Sequence, residues 1–89
     1  MTPAEFRAAL EAAGLRQVDF ARLLAQLSGQ PANAGTVNRW AKGRRAVPPS
    51  VIAILALWRM VPRAKQHKIM EFIAAFEAYH ARRRRLSPD

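Results

Sequence analysis

Thr36-Val37-Asn38-Arg39-Trp40-Ala41-Lys42-Gly43-Arg44-Arg45, wound as a helix, is apolar on one side and hydrogen-bonding on the other. Val37, Trp40 and Ala41 fall at i, i+3 and i+4 and face a core, while Thr36, Asn38, Arg39 and Lys42 point elsewhere and Gly43 sits where a helix stops. Outward groups of this kind suit the groove of a duplex. Arginine presents a fork that matches guanine N7 and O6, and asparagine bridges adenine N6 and N7. Asn38 and Arg39 are adjacent and diverge by about 100°, so they cannot both be central: both are candidate base readers, and one of them can take a phosphate instead. Lys42, Arg44 and Arg45 lie at and beyond the helix end, where the chain leaves the groove, and are assigned to phosphates or the minor-groove edge.

The charge balance points the same way. Lys and Arg number 15 against 6 Asp and Glu, for a net charge of +9, and no acid occurs between Asp19 and Glu71. A field of one sign attracts polyanions, so nucleic acid is the first partner to consider and an anionic membrane surface the second. The 89 residues, 51% of them hydrophobic, suit one small domain with a single modest core. With no cysteine, neither a disulfide framework nor a thiolate zinc site can form. His67 and His80 stand 13 apart with no acidic or thiol ligand beside them, so no metal and no cofactor are expected. The longest apolar run, Val51 to Met60, is interrupted by Arg59 and is far short of a membrane span. A soluble, unsecreted, cytoplasmic protein associated with the nucleoid is the expectation.

Helical patterns separated by Gly and Pro fill the chain, and no segment alternates as a strand does. The first helix opens at Thr2-Pro3-Ala4-Glu5, a capping box with proline at the first helical position; Phe6, Leu10 and Ala13 face inward and Gly14 ends it. A second helix from about Gln17 to Ser28 carries Phe20, Leu23, Leu24 and Leu27 as its stripe, with Gly29 as C-cap and Gln30-Pro31-Ala32 as the turn. Asn33 caps the third. A basic loop, Arg44 to Val47, leads to Pro48-Pro49 and a fourth helix through Met60, buried along either Ile52, Leu55 and Trp58 or Val51, Ile54 and Leu57. Trp40 is expected to anchor the third helix against Phe20 and the fourth. Pro62 opens a last helix reaching Arg83, with Ile69, Phe72, Ile73, Phe76 and Tyr79 along one face and a fraying, loosely ordered end beyond. The predicted fold class is all-α: a compact helix-turn-helix domain of four helices (1–61) plus a longer C-terminal helix and basic tail (62–89), packed on the same domain or forming a dimer interface.

The order of these parts resembles the lambda-repressor-like helix-turn-helix family, the Cro and Xre type of prokaryotic and phage regulators. The residues that carry the likeness are Gly14-Leu15-Arg16-Gln17, then Phe20-Ala21-Arg22-Leu23-Leu24, then Thr36 to Gly43, then Val47-Pro48-Pro49, over roughly residues 3 to 60. The resemblance implies a supporting helix at 17–28 and a recognition helix at 33–42. It also implies that Gln17 touches a phosphate and that Ala34, Gly35, Thr36, Asn38 and Arg39 line the major groove. Arg16 stands where the family has a side-chain N-cap, with Asp19 in the first turn to compensate through the helix dipole. The segment between Leu24 and Thr36 is several residues longer than the family's tight turn.

The function so read is sequence-specific binding of double-stranded DNA by a transcriptional regulator, with repression the favoured sign. Base contacts are assigned to Asn33, Thr36, Asn38 and Arg39, with Asn33 first of all a cap. Backbone contacts fall to Gln17, Lys42, Arg44 and Arg45, and Ala34, Gly35 and Arg82, Arg83, Arg84 and Arg85 are secondary DNA candidates. A homodimer is expected because this family pairs two units on half-sites about one helical turn apart, with Ile69, Phe72, Ile73, Phe76 and Tyr79 as interface candidates. No enzyme is expected: Ser28, Ser50 and Ser87 lack a base and an orienting acid, and no small-molecule substrate is implied. The alternatives are an antitoxin-like protein-interaction module, or an RNA or membrane-surface binder acting through charge alone.

Overall fold

Thr2 opens the first helix as the sequence predicts. Its side chain accepts the Glu5 amide at 3.1 Å, and the Glu5 carboxylate returns to the Thr2 amide at 2.8 Å, so both halves of a capping box are made. Those bonds hold the Glu5 carboxyl below its ordinary range. The computed structural model describes residues 1–28 and 33–86, apart from the side chains of Arg84, Arg85 and Leu86. The proposed C-cap at Gly29 and turn at Gln30-Pro31-Ala32 lie outside the described residues. Among the described residues there are five helices and no strand: α1 (Pro3–Ala12), α2 (Gln17–Ser28), α3 (Ala34–Ala41), α4 (Pro49–Met60) and α5 (Arg63–Leu86).

Arg16 cannot accept an amide hydrogen, and the start of α2 is closed from within. The Asp19 carboxylate accepts the Arg16 amide at 3.3 Å and the Arg16 guanidinium at 2.9 Å. Asp19 thereby supplies a direct cap rather than the dipole compensation alone. The guanidinium bond, opposed by partial burial and aided by the Arg16 amide and Arg22, holds the Asp19 carboxyl below the usual range.

The core is Phe6, Leu10, Ala13 and Leu15 from α1 and its exit, Phe20, Ala21, Leu23 and Leu24 from α2, and Val37, Trp40 and Ala41 from α3. Val51, Leu55 and Trp58 from α4 and Ile73 from α5 complete it. Trp40 lies edge-on to Phe6 at 6.1 Å, and Phe6 lies edge-on to Phe20 at 6.0 Å. The ring contact of Trp40 is with Phe6 of α1, where the sequence reading expects Phe20, and Phe6 in turn meets Phe20. The buried line of α4 is Val51, Leu55 and Trp58, which combines parts of both predicted stripes; Ile54 is half-buried and Leu57 exposed. The phase is set by Trp58, whose indole N–H donates to the Ala13 carbonyl at 3.2 Å in a buried site. Leu27, placed on the buried stripe of α2, is 62% exposed, since the last turn of that helix runs past the core.

Two polar ties hold α5. Arg22 of α2 grips Glu77 with bonds of 2.7 and 3.0 Å, and this pairing raises the Arg22 pKa. Gln66 donates to the carbonyls of Trp58 and Val61 at 2.9 and 3.0 Å, which closes the α4–α5 corner. The expected single face on α5 divides. Ile73 is buried and Ile69 half-buried, whereas Phe72 (65%), Phe76 (41%) and Tyr79 (52%) are exposed. At about 100° per residue Ile73 and Tyr79 diverge by about 120°, too far for one contact line. The helix also continues to Leu86, three residues beyond Arg83, and takes in the arginine run expected to be loosely ordered. Arginine is a good helix former, and cations complement the negative end of the helix dipole.

Candidate nucleic-acid interface

An eight-residue helix has little intrinsic stability, so the placement of α3 rests on tertiary contacts. Asn33 caps its start: the side-chain oxygen accepts the Thr36 amide at 3.0 Å, with the Thr36 hydroxyl 3.4 Å away. Val37, Trp40 and Ala41 are buried beneath it. The Arg7 guanidinium of α1 donates to the Ala41 carbonyl and satisfies an acceptor at the helix end. Gly43 then turns the chain with φ +76°, packed so closely on Pro3 that an added Cβ would meet the ring at 2.7 Å.

Opposite the buried side, Gly35, Asn38, Arg39 and Lys42 span about 100° of the helix surface, with Ala34 beside them. All but Asn38 are exposed. Gly35 presents backbone to the exterior, so a surface approaching α3 can come close there. Asn38 is half-buried, and its side-chain NH₂ donates to the Gln17 carbonyl oxygen at 3.1 Å. This bond clasps the middle of α3 to the start of α2 across 21 residues of sequence. Chemically it leaves Gln17 an NH₂ that can donate, and leaves Asn38 its oxygen and a second N–H, the pair that a bidentate contact to adenine uses.

Beyond α3 the chain folds back. The Arg39 carbonyl accepts the amides of Arg44 at 2.9 Å and Arg45 at 3.4 Å, so the basic loop is pinned to the last turn of the helix. Arg39, Lys42, Arg44 and Arg45 are all exposed, and none belongs to an ion pair among the described residues. The described acids with ion-pair partners lie elsewhere, Asp19 with Arg16 and Arg22 and Glu77 with Arg22; Glu71 stands 3.2 Å from His67, one helical turn away, an acidic neighbour that the sequence reading denied this histidine. The surface around α3 is thus one of uncompensated positive charge.

The structure joins Gln17 to Asn38, helix geometry sets Arg39 and Lys42 on the same side of α3, and backbone bonds tie Arg44 and Arg45 to its last turn. Thr36 is half-buried, with its hydroxyl turned to Asn33, and Asn33 has its oxygen engaged as a cap. Arg82 and Arg83 are exposed on the far part of α5, and the Arg84 and Arg85 side chains lie outside the described residues. Sequence reasoning missed Arg7. An arginine at the fifth position of an amphipathic helix reads as a solvated charge, and only the approach of α1 to the end of α3 gives it a carbonyl to bind. No helix among the described residues is long and apolar enough to cross a membrane. No family model, curated protein or solved structure matches the chain.

Proposed function

We propose that the protein is a sequence-specific double-stranded DNA-binding regulator of the prokaryotic or phage Cro and Xre helix-turn-helix type, acting at the nucleoid. The observation that carries this reading is the outward side of α3. A small-residue patch, an asparagine and an arginine stand there beside three further cations, all four cations free of ion pairs among the described residues, on a helix whose other side is used for packing. Asn38 and Arg39 are the base readers, and Gln17, Lys42, Arg44 and Arg45 bind phosphates. Asn33 and Thr36 serve chiefly to start the helix, with Thr36 at the edge of the reading surface. Ala34 and Gly35 admit the duplex closely.

Two copies on half-sites about one helical turn apart complete the reading, because one eight-residue helix contacts too few bases for high specificity. The outer side of α5, lined by Phe72, Ala75, Phe76 and Tyr79, offers apolar area for that pairing. Repression by occupancy of the operator is the favoured sign.

Selection of binding sites from random duplexes, followed by mobility shift on the winning site, tests the proposal. The expected preference over random DNA is about a thousandfold or more, with affinity falling steeply as salt rises. Affinity indifferent to sequence overturns it.

A further inference from the structure

Between the second half of α2 and α5 runs an open groove of about 600 Å³, lined by Leu23, Gln26, Leu27, Lys68, Ile69, Phe72, Ile73, Phe76 and His80. It continues past Leu27 and Ile69 toward Ile54 and Leu57 of α4. The groove is set apart from α3. Helix geometry turns Leu23 about 120° and Gln26 about 180° from Gln17, the residue that α2 offers to Asn38.

The charges around the groove share one sign. Relative to Phe72, the directions on α5 at about 100° per residue are about 40° for Phe76, 60° for Ile69 and 80° for His80, with Lys65 and Arg83 near 20° and Lys68 near −40°. The exposed apolar line of α5 is therefore flanked by Lys65 and Lys68 at one end and Arg83 at the other. Glu71 points about 100° away from Phe72, and Glu77 is occupied by Arg22. No acid lines the groove.

We infer that this groove receives an amphipathic helix of another protein, apolar on the face it lays between α2 and α5 and acidic along its flanks. The open, elongated, apolar shape matches recognition of a helix through anchors at i, i+3, i+4 and i+7. The charge pattern selects the occupant. A second copy of this chain laid parallel sets Lys68 against Lys68, and one laid antiparallel sets Lys65 and Lys68 against Arg83. Both directions put like charges face to face, which disfavours a complex. Glutamates on a partner helix meet cations at both ends of the groove instead. The inference uses none of the residues proposed to contact DNA, but it takes Phe72 and Phe76 from the α5 face offered above for pairing, so a bound partner helix and that pairing exclude each other.

The test is fluorescence anisotropy of the full chain with two labelled synthetic helices of about 20 residues, carrying leucines at helical spacing and flanked by glutamate in one and by lysine in the other. The glutamate-flanked helix is expected to bind at least about tenfold more tightly. Leu27→Glu alters an exposed side chain at the groove and Lys68→Glu an exposed flank, and each is expected to weaken that binding about tenfold or more, with melting temperature as the check on folding. The double variant Arg44→Ala with Arg45→Ala is expected to leave it within about twofold, since simple attraction of an acidic peptide to a basic protein moves both sets of variants alike. Equal binding of the two helices, or equal losses in the groove and loop variants, overturns the inference. So does a dimer in sedimentation velocity that Leu27→Glu dissolves, which would assign the groove to a second copy. Loss of duplex binding in the loop variant with the peptide still held separates this result from the fate of the DNA-binding proposal.

Discussion

The bond between Asn38 and Gln17 joins a proposed base reader to a proposed phosphate binder, and its removal by Asn38→Ala has two separable effects. The bond is a neutral amide pair at 3.1 Å between half-buried side chains. A hydrogen bond of that kind contributes about 0.5–1.5 kcal/mol, and water can reach the partner left behind, so the stability loss belongs at the lower end. For a domain of this size about 1 kcal/mol moves the melting temperature by about 4–8 °C, so a fall of a few degrees is expected. On DNA the variant loses its contact to one base, which appears only with the preferred site. It also releases Gln17 from the geometry in which its NH₂ faces a phosphate, and that loss appears with every sequence. The assay is a double-mutant cycle of Asn38→Ala and Gln17→Ala, titrated on both the selected site and random duplex. In the Gln17→Ala background, Asn38→Ala should still weaken the selected site but no longer weaken random DNA. Additive losses on random DNA, together with additive losses of stability, would show that the clasp positions nothing.

Arg39→Ala should relax the base preference at one position of the site by about 1–3 kcal/mol, measured by repeating the selection. Arg44→Ala and Arg45→Ala should weaken all duplexes alike and flatten the dependence of log affinity on log salt. Gly43→Ala forces a side chain into a left-handed conformation costing about 1–2 kcal/mol and drives its Cβ into Pro3, so thermal melting should show a loss of at least that size. Asp19→Asn should lower the melting temperature at pH 7. The folded-state carboxyl lies below its unfolded value of about 3.9, so its contribution is fully present above that pH and is lost as pH falls from there through the lower folded-state value. The two melting curves should therefore converge in acid, and a gap that persists at low pH would refute the assignment. The effect should stay below about 1 kcal/mol because Arg16 is mostly exposed.

How far the sequence can be read depends on how sharply each segment contrasts its faces. α1 and α3 alternate apolar and polar residues at helical spacing between strong caps, so their limits and buried residues are legible in advance. α4 is apolar nearly all round, from Val51 to Trp58, and periodicity cannot choose its phase; the choice is made by the Trp58 bond to Ala13, 45 residues away. Leu27 fits the stripe of α2 in every respect that sequence displays, yet it is exposed at the side of an open groove rather than in the core. At the candidate site, residue types and spacing point to Asn38, Arg39 and the basic loop. The clasp to Gln17 and the Arg7 bond to Ala41 depend on how helices cross, which no local pattern encodes.

The division of labour within α3 bears on how this protein can diversify. Val37, Trp40 and Ala41 carry the packing, while Ala34, Arg39 and Lys42 lie exposed opposite them. Those three positions can change without passing through an unfolded intermediate, so descendants of one gene can alter what the outward side of α3 presents while keeping the same scaffold. Two outward positions are less free. Gly35 has the Asn33 oxygen 3.0 Å from where a Cβ would stand, and Asn38 is bound to Gln17. A lineage that replaces Asn38 must alter position 17 in step, and the two positions should vary together.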